Sequence, residues 1–227
     1  MKQNLAIATD WRIISLDART KGRSEGLQQS MKAFLWEIAI TVALSLILFL
    51  VLHNTIQQTI IDGSSMEPNF HDQERAFMNV AVYKYFHPPQ LGDVVVLIPP
   101  IEPSKMYVKR VMGRPGDTVE IKNEQVYVNG TPLKEPYIAR PPQYTMAPVK
   151  VPPDQYFVLG DNRLNSNDSH FGWFVARDKI VAKVWVVIWP PSSWGVVPSY
   201  DLGQQLRSSV LNTTLSPLAQ PLAAAGN

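Results

Sequence analysis

Between Ala33 and Leu52 the chain is almost wholly apolar, and Glu37, near one end, is the only charge. About 20 such residues suffice for a helix to cross a bilayer core. Lipid offers the backbone no hydrogen-bond partners, so a single spanning segment must be helical. A helix buried in a soluble protein would need a polar face, and this stretch offers only Glu37, Thr41 and Ser45. A cleaved leader fits poorly, because a long polar segment precedes the run and no Ala-x-Ala-like site follows it. The sequence therefore predicts one membrane-spanning helix over residues 33–52, with the rest of the chain folding on either side.

The basic residues orient that helix. Lys2, Arg12, Arg19, Lys21, Arg23 and Lys32 precede the span, and the next Lys or Arg is Arg75. Retention of basic residues on the inner side places the N-terminus in the cytoplasm and everything after the span outside it. Of 21 basic and 19 acidic residues, six and four lie at or before Glu37, leaving 15 of each beyond it. That balance offers nucleic acid no electrostatic footprint. There is no cysteine, so thiolate nucleophiles and thiolate metal sites are excluded. His53, His71, His87 and His170 are too scattered for a metal site.

Residues 1–32 are polar, mixed in charge and without clear periodicity, which reads as a cytoplasmic tail. After the span, 19 prolines against 12 glycines in the whole chain favour strands and turns over a helical bundle. Short β-rich runs are expected at 59–61, 76–82, 93–98, 106–112, 118–121, 125–128, 155–159 and 179–188. Asn123-Glu124 closes a hairpin and Asn129-Gly130 a turn. The Pro-rich stretch 132–153 is a long connection or part of a small β-subdomain. Beyond Pro190 the Ser-, Pro- and Ala-rich chain is expected to be mostly irregular.

Three segments in this β-rich part carry chemistry. Gly63-Ser-Ser-Met-Glu-Pro68 offers a serine behind a small, permissive residue, so backbone can approach a substrate closely. Serine needs a partner to remove its proton before it attacks. Tyr107-Val-Lys-Arg-Val-Met112 offers Lys109 among apolar neighbours, where burial would lower its pKa. Neighbours on a strand point to opposite faces, so one of Lys109 and Arg110 is expected inside and the other in solvent. Gly160-Asp-Asn-Arg-Leu-Asn-Ser-Asn-Asp-Ser169 reads as a tight polar loop that satisfies its own backbone.

In this order, behind one membrane anchor, the three segments resemble type I signal peptidase, a membrane-bound Ser/Lys endopeptidase, over residues 61–172. The resemblance implies a mainly β fold: a single N-terminal transmembrane helix, then a signal-peptidase-type β-sheet catalytic domain with an inserted β-rich subdomain. Domain bounds follow as 1–32 for the tail, 33–52 for the helix, 53–195 for the peptidase (about 118–155 inserted) and 196–227 for an irregular tail. It selects Ser65 over Ser64 as nucleophile and Lys109 as the inward-facing general base. Ser166 is implied to hydrogen-bond that lysine and Asp168 to brace the site. Gly63 stands where one branch of the family has a serine in the oxyanion hole, which leaves the work to backbone donors. Ile61, Met66, Phe70, Tyr107 and Val108 match the apolar substrate-pocket positions.

The resemblance also implies the reaction. The substrates are preprotein signal peptides with small residues before the cleavage site, bound as an added β-strand beside membrane lipid, with no cofactor, metal or nucleic acid. The catalytic domain would face outward from a plasma or thylakoid membrane. Leu164 and His170 depart from the commoner Asp and Arg, and the Asp168-Ser169-His170 version resembles the cyanobacterial and plastid branch. Two rivals stay open. Self-processing Ser/Lys peptidases share the dyad but need a DNA-binding module; a non-enzymatic, membrane-tethered β-domain leaves the dyad as coincidence.

Overall fold

The computed structural model describes the backbone of residues 4–198 and 200–215, and the side chains of 29–198, 200–209 and 211. The chain divides into two compact units, residues 1–53 and 54–227. The first is carried by one helix, α1, Asn4–Thr55. Within its Gln29–Thr55 portion the most apolar 18-residue window has a mean hydropathy of 2.5, and the side chains there are exposed all round the helix. A helix without a polar stripe is stable where lipid covers it. The polar segment before the span, expected to lack periodic structure, instead continues this helix back to Asn4; no proline interrupts residues 4–55. Lys2 lies outside the described residues.

The second unit is mainly β. Its strands are β1 (Ile56–Ile60), β2 (Arg75–Asn79), β3 (Val94–Leu97), β4 (Tyr107–Gly113), β5 (Thr118–Lys122), β6 (Gln125–Val128), β7 (Thr131–Pro132), β8 (Met146–Lys150), β9 (Gln155–Leu159), β10 (Val175–Ala176), β11 (Ile180–Trp189) and β12 (Gly195–Val196). An eight-stranded antiparallel sheet has the order β1-β2-β11-β3-β4-β9-β10, with β12 on β11. A four-stranded sheet, β7-β6-β5-β8, is built wholly from residues between β4 and β9.

Local chemistry explains most of these bounds. Asn123 and Glu124 both take positive φ (48° and 60°) between the paired residues Lys122 and Gln125, as a two-residue hairpin requires. Asn129 and Gly130 do the same between Val128 and Thr131. The expected strand 76–82 stops at Asn79, whose Oδ1 accepts the Val82 N–H at 3.0 Å and starts a helical turn over Val82–Phe86.

Both faces of the large sheet are covered. Val94 and Val96 of β3 join a core with Ile61, Met66 and Phe70, while Val95 and Leu97 join another with Val111 and Trp173. A third core lies around the small sheet and takes in Leu202 and Leu206. Those leucines belong to a helix, α2 (Leu202–Leu215), where an irregular tail was expected. Asp201 starts it by accepting the Gln204 N–H at 2.9 Å, and the four-residue spacing sets both leucines on one buried face. Residues 216–227 lie outside the described residues.

Candidate active site

Ser65 sits in the connection after β1, at the start of a hydrogen-bonded turn. Phe70 N–H returns to the Met66 carbonyl at 3.1 Å and Glu67 N–H to the Ser64 carbonyl at 3.2 Å. Met66 and Phe70 are buried in the core and fix the turn from below. Gly63 takes φ +83°, a left-handed conformation that side chains with a Cβ rarely adopt, and its N–H donates to Asp72 Oδ1 at 2.7 Å.

Lys109 lies on β4, opposite Val95 of β3. Its Nζ stands 2.6 Å from Ser65 Oγ and 3.1 Å from the Val108 carbonyl oxygen. The residue is only 3% exposed, and Nζ sits 5.1 Å from the centre of the Tyr107 ring. Burial lowers its pKa to about 8, against the pull of Asp168 and then Asp161, which favour the ammonium. A neutral amine beside a serine hydroxyl is thus available under mildly alkaline conditions.

Arg110, expected in solvent if Lys109 faced in, is buried as well. Both faces of the sheet are covered, so opposite-facing neighbours on β4 both lose solvent. Its guanidinium pairs bidentately with Asp161 (Nε–Oδ1 2.8 Å, Nη2–Oδ2 2.6 Å), donates to the Gly92 carbonyl and lies 4.1 Å from the Tyr137 ring centre. Asp161 also accepts from Asn69 Nδ2 at 2.8 Å, in the turn that carries Ser65.

The Gly160–Ser169 loop is stapled to Ser64 and Ser65. Asn162 donates its backbone N–H to the Ser65 carbonyl at 3.0 Å and its side chain to the Ser64 carbonyl at 3.1 Å. Asn165 donates to Ser64 Oγ at 2.9 Å. These cross-links go beyond the self-satisfying polar loop expected from sequence; the dense Asp/Asn run is the signal that points to them. Arg163, also buried, pairs with Glu135 and donates to the Gly160 carbonyl.

Asp168 is fully buried. Its Oδ2 accepts the Gly160 N–H at 2.9 Å, and its Oδ1 meets His170 Nδ1 at 2.6 Å. Ser166 differs from the expectation drawn for it: its Oγ makes no hydrogen bond to Lys109 or to any other described group, although it is buried. It packs against Gly160, where an added Cβ would stand 2.2 Å from Ser166 Oγ and 2.4 Å from the Ser65 carbonyl oxygen.

A cleft of about 220 Å³ opens beside Ser65 and Lys109, lined also by Ile61, Met66, Tyr107 and Val108 among others. Four of the five expected pocket residues are therefore in its wall. Phe70 is not; it lies in the core beside Met66. Among the described residues no cluster of three His, Asp or Glu side chains suited to a metal occurs.

A family model described as "Signal peptidase, peptidase S26" matches residues 32–189. A probable signal peptidase I-1 of Synechocystis sp. is 41% identical over 147 residues, covering 62% of this chain and 74% of that protein. A signal peptidase I of Bacillus amyloliquefaciens is 40% identical over 171 residues, covering 70% of this chain and 90% of that one. Among solved structures, a signal peptidase I from Enterococcus faecalis V583 covers 42% of this chain and 95% of its own, at 30% identity and a TM-score of 0.39.

Proposed function

The chain belongs to the signal peptidase family, peptidase S26, and from that premise we propose a Ser65/Lys109 mechanism for its reaction. It is a membrane-anchored serine peptidase acting on the signal peptides of preproteins. The observation that carries the mechanism is the 2.6 Å approach of Lys109 Nζ to Ser65 Oγ inside a buried site.

In this reading the neutral amine of Lys109 takes the Ser65 proton as Oγ attacks the scissile carbonyl carbon. The oxyanion forms beside backbone donors, including the N–H of Ser65, with Gly63 contributing no hydroxyl. Lys109 then delivers the proton to the leaving amine, the peptide bond breaks, and the mature chain departs with a free amino group. A water, deprotonated by the same lysine, hydrolyses the ester to release the signal peptide. Asp168 and Ser166 act on the geometry of this dyad, Asp168 by holding the Gly160 turn and Ser166 by packing against Gly160 beside the Ser65 carbonyl.

The substrate lies along the Tyr107–Lys109 edge of β4, which has β3 on one side and is open on the other until β9 begins to pair at Arg110. Ile61, Met66, Tyr107 and Val108 wall the cleft, whose size suits small side chains before the cleaved bond; Phe70 supports Met66 from behind. The basic residues before the span place residues 1–32 in the cytoplasm and the peptidase domain, 53–195, outside it, against the lipid of a plasma or thylakoid membrane. No metal or cofactor takes part, so EDTA should leave the rate unchanged.

The direct test incubates the detergent-solubilised protein with a preprotein and sequences the new N-terminus. Cleavage after a small residue by the wild type, and none by Ser65→Ala, supports the reading. Cleavage by purified Ser65→Ala overturns it.

A further inference from the structure

The cleft at the dyad adjoins a larger one, of about 510 Å³, and Asn167 lines both. Tyr144, His170 and Phe171 form an aromatic ladder along the second cleft, with ring centres 4.3 Å apart at 23° and then 3.9 Å apart at 39°. Beside it, Phe171 is 67% and Leu164 42% exposed, so apolar surface lines a cavity next to the nucleophile. Among the described residues, two buried side-chain hydroxyl oxygens lack a hydrogen-bond partner, Tyr144 Oη and Ser166 Oγ. Both residues stand in the wall of this one cleft. Orphaned buried hydroxyls are costly and call for a reason.

Topology supplies a direction. A peptide laid on the open edge of β4 reaches the nucleophile beside Lys109 and there meets β9, which pairs with β4 from Arg110 onward. It cannot continue along β4. Beyond β9 the chain enters the Gly160–Ser169 loop, and a peptide that leaves the dyad over Asn167, which lines both clefts, enters the second one.

We propose that this cleft receives the first residues of the mature chain, those that follow the scissile bond. About three extended residues, at about 3.3 Å each, cover the path. The second of them rests a bulky apolar side chain on the exposed Phe171 and Leu164. This inference rests on the peptidase reading and on Ser65 as the nucleophile.

Two measurements test it on the full-length protein in detergent. In the first, Ser65→Ala traps a preprotein carrying benzoylphenylalanine at the second position after the scissile bond. Photocrosslinks should map to Tyr144 or to residues 164–171. Crosslinks confined to the cleft of His71 and Arg140, on another side of the loop, or none where a probe before the scissile bond still labels residues 61–66, would overturn the proposal. In the second, preproteins with Leu or Asp at that position are compared by kcat/KM. The wild type should favour Leu about fivefold, the scale of partial burial of one apolar side chain. The ratio should fall to about one in Phe171→Ala, and a ratio unchanged in that variant counts against the proposal. A wild type that cuts no preprotein defeats the peptidase reading itself, whereas one that cuts with no Leu preference defeats only this inference.

Discussion

Lys109 illustrates a residue whose chemistry and stability pull in opposite directions. Its pKa falls from 10.5 unfolded to about 8 folded, because burial disfavours the ammonium. The base form is the neutral amine, so kcat/KM should rise about tenfold per pH unit below pH 8 and level off above it; a flat profile from pH 6 to 9 excludes a lysine base. The sign for stability is the same. Between about pH 8 and 10.5 the unfolded chain binds the extra proton, so stability rises with pH across that window, by on the order of 3 kcal/mol in total. Lys109→Met should therefore lose cleavage by at least about 10⁴-fold yet unfold at higher temperature than wild type at pH 7. That advantage should shrink toward pH 10, and comparing the two proteins isolates the lysine from other titrating groups. His170 offers a rival base, but its Nδ1 is held by Asp168 and its ring stacks on Tyr144 and lies tilted against Phe171. It braces Asp168. His170→Arg should retain most activity in the preprotein assay, and inactivity equal to Ser65→Ala in the folded variant would reopen the choice of base.

At the scale of elements, the site is the junction of three segments that meet only because β9 ends beside the nucleophile turn. Gly160 is the contact point. Its φ is ordinary, so the demand for glycine is one of space: a Cβ there would collide with Ser166 and with the Ser65 carbonyl. Gly160→Ala must displace one of them, and misplacing a reacting group by about 1 Å costs on the order of 10²-fold in rate. The expected signature is a fall in kcat of that size with a nearly unchanged KM, in a protein whose far-UV circular dichroism matches wild type. A KM effect alone would mean that the turn adapts and that Gly160 serves substrate binding instead.

At the scale of the domain, α2 and the segment before it close the third core from beyond the residues matched by the family model. Tyr200 lies 4.9 Å from Tyr137 and 5.4 Å from the Arg110 guanidinium, behind the Asp161 pair that reaches the nucleophile turn. Leu202 is fully buried, so Leu202→Ala should cost about 3 kcal/mol. A lower urea midpoint with an unchanged slope would register that loss. A midpoint within error of wild type would show that α2 is a detachable appendage.

The sequence by itself determined what depends on local pattern. An almost wholly apolar run of 20 residues predicts a spanning helix, pairs such as Asn123-Glu124 predict turns, and the ordered serine, lysine and loop segments point to one chemistry. Tertiary structure decided what depends on which surfaces are covered. Alternation along β4 separates Lys109 from Arg110, but only the packing of both sheet faces buries both, giving one a depressed pKa and the other an ion pair. Asn162 and Asn165 read as loop residues until the fold brings them more than 90 positions along the chain to Ser64 and Ser65. The segment beyond Pro190 reads as irregular, yet Leu202–Leu215 is helical because it gains its stability from a core that no local window contains.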